Sequence, residues 1–188
     1  LKAGETYSFS LIGNLISSQL SADPYNQAER LCTYAFLQGH EALLAAHNKQ
    51  WAKLWESNIE IEGDAQANQD IHNMLYHLYA SVSELHSFSL SPYGLSHTGY
   101  MGHIFWDTEM WMYPPLLLLQ PEIAKNLLNY RFERLERAKH NAALHGYQGA
   151  MFPWESAASG EEDTPVWALT GTYEHHITAD VAIAVWNY

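Results

Sequence analysis

Apolar residues recur at helical spacing over most of this chain, and one short stretch alternates instead. Residues 6–16 carry Tyr7, Phe9, Leu11 and Ile12 in rough alternation, the period of a half-buried strand. A lone strand finds no partner among these residues. The pattern therefore assigns residues 1–20 to the end of a β-domain lying upstream, or to pairing with something outside the chain. Asp23-Pro24 then reads as a helix start, a capping side chain followed by proline at the first helical position. Ala28, Leu31, Cys32, Ala35, Gly39, Leu43 and Ala46 follow at helical spacing, predicting a helix over 24–50 whose pattern drifts on to Trp51 and Trp55. Ile59 to Glu62, followed by Gly63-Asp64, reads as a short extended connector.

The clearest periodicity lies between residues 67 and 86, where Ile71, Met74, Leu75, Leu78, Tyr79, Val82 and Leu85 form one apolar stripe. Residues 87–104 are a loop rich in Gly, Ser, Pro and Tyr, and loops of that length are usually functional. A third helix is predicted over 107–119, with a kink or restart at Pro114-Pro115, because proline inside a helix removes a donor and clashes with the preceding turn. A fourth opens at Pro121 and ends before Gly146. Its core face is Ile123, Leu127, Leu128, Phe132, Leu135 and Ala142, and Glu133 and Arg137 can pair one turn apart on its wet face. A second long loop spans 146–174, and a last helix runs from about residue 177 to Tyr188. No sheet is expected beyond the N-terminal segment. Long helices alternating with long aromatic loops suit an all-α helical barrel with its loops gathered at one mouth.

Composition sharpens this picture. Across 188 residues, 47% are apolar and only 16% charged, a profile of much buried surface and against disorder. The net charge of -12, from 21 acids against 9 bases, repels phosphate, so neither nucleic acid nor an anionic membrane is an expected partner. The longest aliphatic run, Leu116 to Leu119, is too short to span a bilayer. Cys32, alone, excludes an internal disulfide and lies on the apolar stripe of the first helix as a small core residue. The chain begins at Leu1 without an initiator Met or signal peptide and stops inside a helix-like stretch, so both ends read as cut and the remaining parts of a parent chain are expected partners. The compartment, periplasmic or cytoplasmic for a bacterial protein, stays open.

Three constellations could carry chemistry. Gly102-His103-Ile104-Phe105-Trp106-Asp107-Thr108-Glu109 sits where the first long loop enters a helix. A Trp beside an Asp can stack on one sugar face and accept hydrogen bonds from its hydroxyls. The structural alternative makes Asp107 a helix N-cap and Trp106 a core anchor, and this spacing alone favours it. Gly149-Ala150-Met151-Phe152-Pro153-Trp154-Glu155-Ser156, followed by Gly160-Glu161-Glu162-Asp163, again sets a Trp before an acid in a loop after a long helix. It could equally be a solvated acidic loop. Two such pairs together weaken both structural readings. Tyr173-Glu174-His175-His176-Ile177-Thr178-Ala179-Asp180 holds adjacent histidines that point in different directions, and no HExxH spacing occurs, so no metal is assigned. No Gly-x-Ser-x-Gly elbow is present.

At these motifs the sequence resembles glycoside hydrolase family 65, a family of inverting disaccharide phosphorylases and hydrolases. The matching stretches are GHIFWDTEMWMYPPLLLLQPEIAKNLLNYR, GYQGAMFPWESAASGEE and EHHITADVAIAVW, in the family's order, covering residues 99–188. Trp55 to Asp64 matches more loosely. The resemblance implies an (α/α)6 barrel preceded by a β-sandwich and a helical linker. This chain would then hold the sandwich's end at 1–20, the linker at 21–64 and the first part of the barrel at 65–188. It implies that Trp106-Asp107 binds the glucose whose bond is broken and that Trp154-Glu155 lines the same pocket, with His103 and Glu162 counted to that substrate-binding set. The family's general acid, a Glu, falls downstream of Tyr188 and the hydrolases' base later still, so no catalytic residue is expected within the chain.

The implied activity is an inverting α-glucosidase acting on an α-linked glucosyl disaccharide or glucosyl-galactose unit, a small carbohydrate substrate, with no cofactor. One carboxylic acid protonates the leaving oxygen while a second carboxylate activates water, the two about 6.5 to 9.5 Å apart. The wording YQGAMFPWESAASGEE lies closer to the hydrolase branch. The alternatives are an inverting phosphorylase, in which phosphate replaces the water, and a carbohydrate-binding helical scaffold that has lost the acid.

Overall fold

The structure is a computed structural model and describes residues 1–188. The chain divides into two compact units, Leu1–Glu56 and Ser57–Tyr188.

In the first unit the expected strand does not form. Residues 6–16 run without regular structure, because a strand is held by a ladder and no segment pairs with this one. Phe9, Leu11 and Leu15 are consequently exposed. The expected single helix over 24–50 is two. Helix α1, Pro24–Gln38, starts at Asp23, whose carboxylate accepts from the Asn26 amide at 3.3 Å. Helix α2 is His40–Leu54. Gly39 separates them at φ 77°, a left-handed conformation that glycine adopts without the cost a side chain would incur. Counting Gly39 among the helical apolar positions missed its role as the break.

In the second unit, α3 covers Ala65–Ser81 and is capped by the Asp64 carboxylate, which accepts from the Ala67 amide at 3.0 Å. It stops one turn short of the apolar stripe, and Leu85 lies exposed beyond it. Within the stripe Leu75 and Tyr79 are buried, whereas Met74 is 65% exposed. After the first long loop, Thr108–Met112 form a π-helical turn that feeds α4, Tyr113–Leu119. The backbone stays helical through Met112 and Tyr113, whose amide donates to the Thr108 carbonyl, so the chain passes Pro114-Pro115 by a change of winding from π to α, neither kinked open nor begun afresh.

Helix α5, Pro121–Glu133, and α6, Leu135–Leu144, divide at Arg134, where a single helix was expected. Phe132, assigned to the core face, is 75% exposed. Glu133 and Arg137 do not pair: Ser87 donates to Glu133 at 2.6 Å, and Arg137 meets Glu161 at 3.0 Å. Helix α7 is His176–Asn187. Helix α4 packs on α5, and α7 packs on both α5 and the π-helical turn. With α6 they bury Tyr113, Leu116, Ile123, Ala124, Leu127, Ala138, Ala142, Ile177 and Val181. Isolated bridges at Ile104, Ser156 and Glu162 are the sole β-pairing. No helix is long and apolar enough to cross a membrane.

Candidate functional site

The two Trp-acid loops lie far apart in sequence and are joined edge to edge. Ile104 and Ser156 exchange both backbone hydrogen bonds, at 2.7 and 2.9 Å, and the Asp163 amide donates to the Glu155 carbonyl at 3.0 Å. From α5, Tyr130 donates its phenol proton to the Ala157 carbonyl at 2.6 Å and sits 2.7 Å from the Ser156 hydroxyl, which then donates to it. Burial pushes the Tyr130 phenol above its ordinary value, and the Ser156 hydrogen bond opposes this.

Beneath the first loop, the Arg131 guanidinium grips Glu109 through two hydrogen bonds of 2.7 and 3.0 Å. Its Nη2 also donates to the Phe105 carbonyl at 3.2 Å. Both side chains are almost fully buried. Burial alone would lower the Arg131 pKa, but the facing Glu109 charge and its hydrogen bonds outweigh that and raise it. The loop bearing Trp106-Asp107 is thus tied to α5 by a fully paired buried ion pair. The approach to it is strained: Tyr100 and Met101 both hold positive φ, 57° and 51°, just ahead of Gly102-His103.

The acids differ in their surroundings. Glu155 is buried, and a carboxylate oxygen of it lies 2.7 Å from His103 Nδ1. Glu162 turns its carboxylate onto the second loop itself. It accepts from the Trp154 amide at 2.9 Å, from the Glu155 amide at 3.2 Å, and from the amide and hydroxyl of Thr164. Asp107 has helical backbone angles and its side chain caps nothing, so the N-cap alternative fails. It stands half-buried beside Trp106. Both indoles pack on the cluster of Ala138, Phe152, Ile177 and Val181. Trp154 meets Phe105 perpendicularly at 4.9 Å between ring centres. Trp106 meets His176 in the same way at 4.9 Å and approaches Trp111 at 6.1 Å.

The structure therefore brings Trp106, Asp107, His103, Trp154 and Glu155 into one patch, with Glu162 behind the second loop. Glu109, Ser156 and His176, present in the motifs without a role, belong to the same patch, as do Tyr130 and Arg131, which no motif singled out. Only His176 and Asp180, four apart in the third motif, left a usable spacing signal. A separate, mostly apolar groove of about 560 Å³ is lined by Met74, Leu78, Tyr93, Trp111 and Met112 among others. Neither Trp-acid pair is among its lining residues.

An all-helical chain with paired tryptophans and carboxylates on loops between its helices has the make-up of a carbohydrate-processing domain. Residues 72–188 match the model of the glycosyl hydrolase family 65 central catalytic domain, and the chain belongs to that family. It is 61% identical, over 188 residues, to the kojibiose hydrolase of Flavobacterium johnsoniae, covering 100% of this chain and 28% of that protein. It is 45% identical over 163 residues to the kojibiose phosphorylase of Caldanaerobacter subterraneus subsp. tengcongensis, covering 80% of this chain and 21% of that one. A solved structure of a candidate kojibiose phosphorylase from the human microbiome shares the fold, with a TM-score of 0.79 at 24% identity over 89% of this chain and 23% of that one. The chain spans about a quarter of the length of these relatives.

Proposed function

We propose that this chain supplies part of the glucose pocket of an inverting α-glucosidase that acts on an α-linked glucosyl disaccharide or glucosyl-galactose unit. The observation that carries the reading is the joining of the two Trp-acid loops by the Ile104–Ser156 bridge, which sets two indoles and two carboxylates on one patch. The Asp107 carboxylate caps no helix end and accepts hydrogen bonds from glucose hydroxyls. Trp106 and Trp154 offer flat apolar faces to the ring. Glu155 is hydrogen-bonded to His103, which orients it. Glu162 holds the second loop in place from behind.

The architecture proposed with this function is the front of an (α/α)6 barrel at 65–188, a helical linker at 21–64 and the end of a preceding sandwich domain at 1–20. The general acid and the base that activates water lie in sequence beyond Tyr188. The greater likeness to a kojibiose hydrolase, 61% against 45% for a kojibiose phosphorylase, favours water over phosphate as the nucleophile. The likeness to phosphorylases makes phosphorolysis the second reading.

The test uses the full-length protein that contains this chain. It is incubated with kojibiose, trehalose, nigerose and maltose, with and without phosphate, and products are followed by NMR. Hydrolysis with inversion releases β-glucose whether or not phosphate is present. Phosphorolysis releases β-glucose 1-phosphate only when it is. Turnover of none of the four disaccharides, nor of an α-glucosyl-galactose assayed alongside them, contradicts both readings.

A further inference from the structure

His176 opens α7 and faces a carboxylate at each ring nitrogen. Nδ1 lies 2.7 Å from Asp180, one turn further along the same helix, and Nε2 lies 3.1 Å from Glu174 in the turn before it. A carboxylate can only accept, and a neutral imidazole has one N–H. Both contacts are hydrogen bonds only when the ring carries two protons and a positive charge. That ring stands perpendicular to the Trp106 indole, at 86° and 4.9 Å between centres. The charged groups facing it are Asp180 and Glu174, and the segment packed opposite presents the indole. The same helix reaches the second loop as well, since the Phe152 amide donates to the Thr178 hydroxyl at 3.0 Å.

From this arrangement we propose that His176 is a positioning residue for the sugar-facing indole of Trp106, acting as an imidazolium clamped between Asp180 and Glu174. The proposal rests on the glucose-pocket reading above. Perpendicular packing of two aromatic rings is a favoured arrangement, and the charge on the imidazole sets its strength. The two carboxylates fix where that cation sits, so the indole is held before sugar arrives. Consistent with this, the hydrogen bond to Asp180, helped by Glu174, raises the His176 pKa above its ordinary value against a smaller effect of burial. The indole is then held by the charged ring below that raised value and released as the pH climbs through it.

The experiment takes the full-length protein labelled with fluorotryptophan, its Trp106 signal assigned by loss in Trp106→Phe. The Trp106 signal should titrate with pH at a midpoint above about 6.5, the ordinary histidine value. That step should vanish in His176→Gln and move down in Asp180→Asn. In parallel, kcat/KM on the preferred disaccharide should fall about two- to tenfold in His176→Gln, the range of one aromatic pair contact, with most of the loss in KM. A Trp106 signal that ignores pH, or wild-type kinetics in His176→Gln, overturns the proposal. Wild-type protein that cleaves no α-glucosyl disaccharide instead sinks the pocket reading, while the fluorine titration still decides whether His176 holds Trp106.

Discussion

His103 Nδ1 and a carboxylate oxygen of Glu155 lie 2.7 Å apart although 52 positions separate them in the chain. This contact couples the two Trp-acid loops through side chains, parallel to the backbone bridge beside it. If the pair acts as a unit, Glu155→Gln and His103→Ala should each lower kcat/KM. The double variant should lose less than the sum, by a coupling of about 0.5–3 kcal/mol. A double-mutant cycle on the preferred disaccharide measures this, and strictly additive losses would contradict it.

Glu162 offers a separate contrast. Its carboxylate accepts from the Trp154 and Glu155 amides, so Glu162→Gln sets an amide N–H₂ against backbone donors. Losing a hydrogen bond to a charged group costs about 1.5–3 kcal/mol. The melting temperature should fall and KM rise together. A direct sugar ligand would lose activity with its melting temperature unmoved, and that pattern would return Glu162 to the substrate contacts.

Replacing Arg131 should be costly. Arg131→Met leaves Glu109 buried without its partner, a change worth about 3–5 kcal/mol of stability. Adding Glu109→Gln removes the orphaned charge and should recover part of the loss. Thermal melting of the single and double variants checks both statements. A single variant as stable as wild type would mean that the first loop does not depend on this pair.

Gly171 is buried directly against Trp154. A Cβ placed there would lie 2.6 Å from Trp154 Cε3, so Gly171→Ala forces the indole to move. Misplacing a substrate-positioning group by an ångström costs about a hundredfold in rate. The expected result is a large fall in kcat/KM in a folded protein. Kinetics and circular dichroism on the same sample report it, and normal kcat/KM would remove Trp154 from the pocket.

Local chemistry carried the legible part of the fold. Asp23 caps α1, Pro121 opens α5, and the prolines at 114 and 115 mark a change of helix winding, each by a rule that acts within one turn. The failures come from what lies further away. Periodicity says which residues share a helix face but not whether anything covers it, so Met74 in the apolar stripe and Phe132 on the expected core face are both exposed. Gly39 fits a helical apolar pattern as well as alanine would, and only its positive φ reveals the break. Alternation at residues 6–16 describes a strand that needs a partner no segment here supplies. At the site, the Trp-acid pairs stood out as words in the sequence. The Ile104–Ser156 bridge and the Glu109–Arg131 clasp did not, because pairing across the chain leaves no local spacing.

The account rests most directly on Asp107, whose side chain caps no helix and stands beside Trp106. Asp107→Asn keeps the shape and removes the charge. Hydrogen bonds from sugar hydroxyls to a charged acceptor contribute about 1.5–3 kcal/mol each. Losing one or two should lower kcat/KM by roughly tenfold to several thousandfold. The deciding measurement is kcat/KM and thermal melting of Asp107→Asn in the full-length protein, on its preferred disaccharide. The account predicts a collapse in kcat/KM with the melting temperature unmoved. Wild-type kcat/KM would contradict it and remove Asp107 from the glucose pocket.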